Sequence, residues 1–173
     1  GDIKNPFGTT IITNQNRGIR ALDSSKSIES ATLSLAAPTG NLGTQAEPIK
    51  TRAPAQTSSM LLNASALDTV FVDQLSGTMN VCGVTATSPA GKVSLKSVVS
   101  ILDAGADSAT NITARSIDLT TLTGSIGTAA DPVEIETGGA VAALNALAGG
   151  DIVLTENAGL LMLGNGLDSV SKC

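Results

Sequence analysis

The sequence predicts an all-β fold, a right-handed parallel β-helix (β-solenoid), and three observations lead to this prediction. The chain contains an internal duplication, it alternates apolar and polar residues in short runs, and it is almost free of aromatic residues, with two Phe and no Trp or Tyr. Its apolar content is mainly Ala, Val, Ile and Leu. Small and branched side chains suit a thin core that repeats along an axis.

The duplication sets the expected architecture. Gly40–Ile49 aligns with Gly124–Val133, with five of the ten positions identical. The alignment extends upstream at the same offset, and it resumes downstream at a slightly shorter one, as a change in loop length would produce. Because a β-helix coil holds about 20 residues, the distance between the copies predicts two four-coil repeats. The repeat units cover about 31–84 and 115–168 of a single solenoid segment, 1–173.

Short alternating runs supply the predicted strands. Thr32–Ala36 and Lys92–Lys96 alternate with period two, which places one face inward and the other outward. Turn residues such as Gly and Pro separate these runs. Ala140–Ala148 has helical propensity, but its aligned partner, Thr57–Ser65, does not, so both are expected to be strand and turn. The right-handed winding is expected because parallel crossovers nearly always have this hand.

Composition excludes several function classes. The ten Lys and Arg residues are scattered, and the chain lacks aromatic residues on which bases could stack, so no nucleic-acid partner is expected. No apolar stretch approaches the roughly 20 residues that span a bilayer, so no membrane insertion of this segment is expected.

Several phrases resemble a known family. They are the paired motifs Thr39–Pro48 and Thr123–Pro132, together with Gly150–Gly159 and Asn5–Asn14. These phrases are similar to the repetitive passenger regions of filamentous-haemagglutinin-type adhesins, which Gram-negative bacteria export by two-partner secretion. The resemblance implies a right-handed parallel β-helix, export to the cell surface, and a role in adhesion or in building a biofilm matrix. The amino-terminal secretion domain of such proteins is not recognisable.

The expected function is therefore structural or adhesive, as a rigid stalk or fibre outside the cell, without catalysis or a cofactor. The expected partners are neighbouring solenoid segments, copies stacked end to end, or a host-cell or matrix surface. Neither end carries an evident cap, which is consistent with part of a longer polypeptide or with a subunit that stacks end to end. The alternatives are a carbohydrate-active β-helix (polysaccharide lyase, hydrolase or phage tailspike) and a self-assembling filament subunit.

Carboxylates are the residues through which a β-helix enzyme would act. Glu134 and Glu136 share the outward face of one predicted strand, and their equivalents in the first repeat are Lys50 and Arg52. Opposite charges at equivalent positions indicate a solvated surface rather than a catalytic pair.

The remaining acidic residues are not expected to form a site. Asp103–Asp107 has alternating acidic spacing but lacks the further ligands of a calcium loop, so it is expected to be a surface turn. Asp118, Asp131 and Asp151 are isolated in the sequence. No metal site is predicted.

Two sequons and two cysteines complete the candidates. Asn63-Ala-Ser and Asn111-Ile-Thr match the glycosylation sequon. Cys82 and Cys173 are consistent with a disulfide, an intermolecular link or two free thiols. Zinc is not expected, since two cysteines without histidine cannot complete a tetrahedral site.

Overall fold

A computed structural model describes residues 1–138, 143–158, 161 and 163–169, and for 164–169 it describes the backbone alone. These residues contain fourteen β-strands and no helix. The strands are β1 (Ile3–Thr13), β2 (Ile28–Ala37), β3 (Ile49–Arg52), β4 (Ser59–Ala66), β5 (Thr69–Gln74), β6 (Thr78–Ala86), β7 (Lys92–Ser97), β8 (Ile101–Asp103), β9 (Ile112–Ala114), β10 (Ser116–Thr121), β11 (Val133–Thr137), β12 (Ala143–Ala148), β13 (Leu154–Glu156) and β14 (Leu163–Ser169).

The strands stack on two faces of a solenoid. Face A contains β2, β4, β6, β9, β11 and β13 in this order, with β8 also paired to β6. Face B contains β3, β5, β7, β10, β12 and β14, and it joins face A because β2 pairs with both β3 and β4. Every pairing between strands is parallel. The prediction of a parallel β-solenoid is confirmed.

Coils are somewhat longer than the sequence predicted. Ile28 lies opposite Thr51, and Ile49 lies opposite Val72, a spacing of about 23 residues that recurs through about seven turns. The right-handed sense of the winding stays a prediction.

The core consists of apolar columns along the axis. In one column Val70, Val93, Ile117 and Leu144 pair in register on successive coils of face B, and each is at most 1% exposed. Each buried side chain meets a similar one on the coil above and below, so Ile, Val and Leu fill the interior without aromatic rings. Burial of one such side chain stabilises the fold by about 1.5–3 kcal/mol.

A second buried column is polar. Thr51, Gln74, Ser97 and Thr121 lie in register on β3, β5, β7 and β10, and all four are buried. Ser97 Oγ donates to the carbonyl of Gly77 at 3.2 Å. Among the described residues, neither amide atom of Gln74 has a hydrogen-bond partner. This column therefore contains an unsatisfied polar side chain inside the solenoid.

The duplicated motif forms the same turn twice. Gly43 and Gly127 both have φ of +68°, a conformation that favours glycine. In each turn a threonine and an acidic residue are hydrogen-bonded: Thr44 N–H donates to Glu47 O at 3.0 Å, and Thr128 N–H donates to Asp131 O at 2.8 Å. The two sequence copies therefore share the same local backbone conformation.

The two copies lie on opposite faces. Leu42, in the first copy, pairs with Val70, and its turn leads into β3 on face B. Ile126, in the second copy, pairs with Ile101 and Ile152, and its turn leads into β11 on face A. The distance between the copies thus equals about three and a half turns, and the expected division into two four-coil repeats is wrong. A half-integral number of turns places equivalent residues on opposite sides of the solenoid.

The segment with helical propensity is a strand where the structure describes it. Ala143–Ala148 forms β12, paired to β10, which confirms the expectation from its aligned partner. Residues 140–142 lie outside the described residues.

Candidate functional site

Charged residues on face B form ladders of alternating sign. Lys50 lies opposite Asp73 on the next coil, and Asp73 lies opposite Lys96 on the coil after that. A second ladder lies where the first residues of β2 pair with β1 and with β3 of face B, and it runs through Lys4, Glu29 and Arg52. In parallel strands that pair in register, equivalent side chains of adjacent coils lie next to one another. Because the sign of the charge alternates from coil to coil, neighbouring side chains attract rather than repel one another.

Face A has the opposite character. Its strands, β2, β4, β6, β8, β9, β11 and β13, are fully described and contain neither Lys nor Arg. Apart from Glu29, its outward residues in the first coils are mainly Ser, Thr and Asn, and on β11 they include the carboxylates of Glu134 and Glu136. The acidic part of face A therefore lacks a cation on its own strands.

A loop over residues 104–110 covers part of this acidic region. It connects β8 and β9, both of which pair with β6. Asn157, beyond β13, donates through Nδ2 to Ser108 O at 3.1 Å and to Thr110 Oγ1 at 3.0 Å. Since β11 lies between β9 and β13, the loop extends across the outward side of β11.

The loop is anchored at its first residue. Asp103 accepts hydrogen bonds from Gly105 N–H at 3.0 Å and from Asn111 Nδ2 at 2.5 Å. Ala106 has φ of +50°, in the left-handed region that is unusual for alanine, so the loop is tightly constrained. Burial alone would raise the pKa of Asp103, but the donated hydrogen bonds outweigh burial and lower it.

Glu134 lies beneath this loop. It is flanked in β11 by the core residues Val133 and Ile135, so its side chain points outward, yet it is only 3% exposed. The interpretation of Glu134 as a solvated surface residue is therefore wrong, because the loop covers it. The comparison with Lys50 also fails, since the two residues lie on opposite faces. Glu136, two residues further along, is partly exposed.

One oxygen of the Glu134 carboxyl group lacks a partner. Its Oε2 atom is buried and has no hydrogen-bond partner among the described residues. Burial raises the pKa of Glu134, and repulsion from Asp103, Asp131 and Asp107 raises it further, against the hydrogen bond from its own N–H. These four residues (Asp103, Asp107, Asp131 and Glu134) are called the carboxylate cluster below.

Asp131 connects the second copy of the duplicated turn to the carboxylate cluster. Burial raises its pKa, as does the neighbouring charge of Asp103. The end of β8 and the turn before β11 thus place two carboxyl groups near each other.

The fold thus brings together Asp103, Asp107, Asp131 and Glu134, which were expected to be separate. The sequence contained one signal for this, the unusual length of chain between β8 and β9 next to two Asp residues. Asp118 lies elsewhere, on face B, where it pairs with Lys92 at 2.5 Å and accepts a hydrogen bond from Asn145. Within the described ranges, no group of three or more His, Cys, Asp or Glu side chains is arranged to chelate one metal ion.

The two sequons differ in accessibility. Asn111 is 3% exposed, and its Nδ2 donates to Asp103 Oδ1 and to Val81 O. A glycan on Asn111 is incompatible with this fold, because the amide that would carry it is buried and bonded. Asn63 is half-buried on β4, and its glycosylation stays a prediction.

Cys82 is exposed on β6 as the extra residue of a β-bulge, where the register with β4 shifts. Cys173 lies outside the described residues, so the predicted disulfide or intermolecular link stays a prediction.

A shallow depression of about 290 Å³ lies at the amino-terminal end of the solenoid. Ile3, Ile12, Ile19 and Leu22 contribute apolar side chains to its lining. It is distant in sequence from the carboxylate cluster and contains none of its members.

No protein-family model matches the chain, and neither the curated proteins nor the solved structures include a match. The described part of the chain has no helix long and apolar enough to cross a membrane.

Proposed function

We propose that this chain is a rigid structural segment of a secreted or cell-surface filamentous bacterial exoprotein of the filamentous-haemagglutinin type. The observation that carries the proposal is the uninterrupted parallel pairing through about seven turns. At about 4.8 Å per turn, this pairing gives a rod roughly 34 Å long. Each coil is hydrogen-bonded to the next on both faces, which suits a stalk that holds other regions away from a surface.

The charge ladders of face B support this role. A rod that avoids like charges on neighbouring coils has no repulsion along its surface to oppose its stacking. Lys50, Asp73 and Lys96 meet this condition on three successive coils, and Lys92 and Asp118 on adjacent coils form an ion pair.

Direct adhesion by face A is a second candidate function. Its strands β2, β4 and β6 carry no Lys or Arg, and β1, which pairs with β2, exposes Phe7 and Ile11 at 79% and 71%. A surface with exposed apolar residues, many hydroxyl groups and little charge suits contact with a glycan or protein surface. In this account the partner is a host-cell or matrix surface.

The carbohydrate-active alternative is less well supported. The carboxylate cluster lies under the 104–110 loop, and the chain has no Trp or Tyr to stack on a sugar ring. We propose that the chain has no catalytic role and that it acts outside the cell.

A glycan-degradation screen with the purified segment tests the structural proposal. We expect no cleavage. Cleavage that is lost in both Glu134→Gln and Asp103→Asn, with the fold intact by circular dichroism, contradicts the proposal and supports an enzyme.

A surface-adhesion assay tests the second candidate. Ile11→Lys places a charge on face A, and Leu122→Lys is a matched control because Leu122, directly after β10 on face B, is 67% exposed. We expect Ile11→Lys to reduce adhesion and Leu122→Lys to leave it unchanged. Equal loss in both variants contradicts adhesion by face A.

A further inference from the structure

We propose that the 104–110 loop is a proton-operated clasp. Glu134 takes up a proton in acidic surroundings, which holds the loop closed on face A, and releases it as the pH rises, which loosens the loop. This device is independent of the proposed function, since it requires only the geometry of the carboxylate cluster.

The closed loop favours the protonated form of Glu134 because it buries the carboxyl group of this residue. Glu134 is 3% exposed with an unpartnered Oε2, and a buried carboxylate oxygen without a hydrogen bond disfavours the ionised form. Its N–H, by contrast, is satisfied by Asn111 Oδ1 at 2.8 Å. The backbone therefore fixes Glu134 under the loop, while the carboxyl group is left to be neutralised by a proton.

The described residues around Glu134 offer no positive charge. The loop contributes Asp107, the end of β8 contributes Asp103, and the turn before β11 contributes Asp131. On the other side, β13 contributes Thr155 directly opposite Glu134, and Glu156, which bonds Thr137. β9 contributes no titratable residue. In this part of the chain every charged group that faces Glu134 is acidic, so ionisation repels the loop.

Asp103 fixes the loop at its base, because Gly105, Asp107 and Asn111 donate hydrogen bonds to its carboxylate. The closed loop therefore buries Glu134 near a fixed set of acidic neighbours. The closed loop thus binds a proton on Glu134 more tightly than the open loop does, and opening follows its release.

Hydrogen exchange in the 104–110 loop, measured by mass spectrometry on the whole chain, tests the clasp. Wild type and Glu134→Gln are compared at the same pH, so that the intrinsic exchange rate cancels. At about pH 8, where carboxyl groups are normally ionised, we expect exchange in the loop to be slower in Glu134→Gln than in wild type. The ratio of the two rates is at most tenfold for each pH unit by which closing the loop raises the pKa of Glu134. At about pH 4 the two proteins should exchange at the same rate.

Two more variants make the result specific. Glu136→Gln removes a carboxylate from the same strand outside the loop's cover, and we expect exchange like that of wild type. Asp131→Asn removes one of the acidic charges near Glu134, and we expect it to slow exchange at about pH 8 by less than Glu134→Gln does. Unchanged exchange in both Glu134→Gln and Asp131→Asn, or an equal effect of Glu136→Gln, overturns the proposal. Peptides from β4 report whether the core itself has changed.

Addition of calcium distinguishes proton binding from metal-ion binding at the carboxylate cluster. If about 5 mM calcium chloride at about pH 8 protects the loop of wild type and not that of Glu134→Gln, the cluster is a cation site and the proton-operated clasp is wrong. We expect no protection by calcium.

Discussion

Gly43 and Gly127 adopt the same backbone conformation on opposite faces of the solenoid. Each donates its N–H to the coil before it, Gly43 to Ile19 O and Gly127 to Ile101 O, both at 2.9 Å. The turn is thus compatible with either face, because it depends on its own hydrogen bonds and on one neighbouring coil.

Gly127→Ala tests how strictly this turn requires glycine. A Cβ at Gly127 would overlap the carbonyl oxygen of Val153, at a φ of +68°. We expect the free energy of unfolding to fall by about 2–4 kcal/mol, from left-handed strain and this overlap. Urea denaturation measures the change. Gly138→Ala is the control, since no atom of a described residue other than its chain neighbour lies within 4 Å of its Cβ position, and a change above about 0.5 kcal/mol there would contradict the account.

Gln74→Met should stabilise the protein. Gln74 is 1% exposed and its amide atoms have no partner among the described residues, so a side chain of similar shape without polar atoms removes a desolvation cost. We expect a gain of about 1–2 kcal/mol in unfolding free energy. Ser97→Ala, in the same column, should instead lose about 1 kcal/mol, because Ser97 is bonded to Gly77. If both variants gain stability, or both lose it, this description of the polar column is wrong.

Asp73→Lys should destabilise the rod. It places three positive charges on successive coils, between Lys50 and Lys96. We expect a loss of about 1 kcal/mol at low salt, and a smaller loss at about 1 M salt, where screening is strong. Asp73→Asn should change stability little, since burial raises the pKa of Asp73 and opposes the attraction of the lysines. A loss that does not depend on salt would exclude repulsion as its cause.

Asp103→Asn and Glu134→Gln should have opposite effects at neutral pH. The lowered pKa of Asp103 means that its contribution to stability is present above its ordinary value of 3.8 and is lost as pH falls through its folded value. The raised pKa of Glu134 means the reverse: stability is lost as pH rises from its ordinary value of 4.5 through its folded value.

At about pH 7 we therefore expect Asp103→Asn to lose about 2 kcal/mol, the contribution of hydrogen bonds to a charged acceptor, and Glu134→Gln to gain stability. Both effects should shrink at about pH 3, where both carboxyl groups are largely protonated in the unfolded chain. Thermal unfolding across this pH range measures them. A loss of stability in Glu134→Gln at neutral pH would contradict an unpartnered carboxylate.

The fold class was predictable from the sequence because it follows from short-range pattern. Alternating runs and turn residues determine strands, and the turn at Gly43 recurs at Gly127 with the same residues. The number of turns between the copies was not predictable, since it depends on coil length, and a few more residues in each coil are enough to move the second copy to the opposite face.

The carboxylate cluster was hidden for a related reason. Alternation correctly predicts that Glu134 points outward, but burial of an outward residue depends on a loop from the coil before it. The spacing between Asp103 and Asn111 indicated a loop and gave no sign of where it folds. Sequence pattern reports on neighbours along the chain, whereas cover by another coil is a tertiary property.

Distances between spin labels on face B test the solenoid most directly. Positions 50, 73, 96, 120 and 147 lie in register on successive coils. With Cys82 and Cys173 replaced by Ser, labels on Lys50→Cys and Lys96→Cys should be about 10 Å apart, and labels on Lys50→Cys and Leu147→Cys about 19 Å apart. Separations that do not grow by about 5 Å per coil contradict the parallel solenoid, and with it the rod.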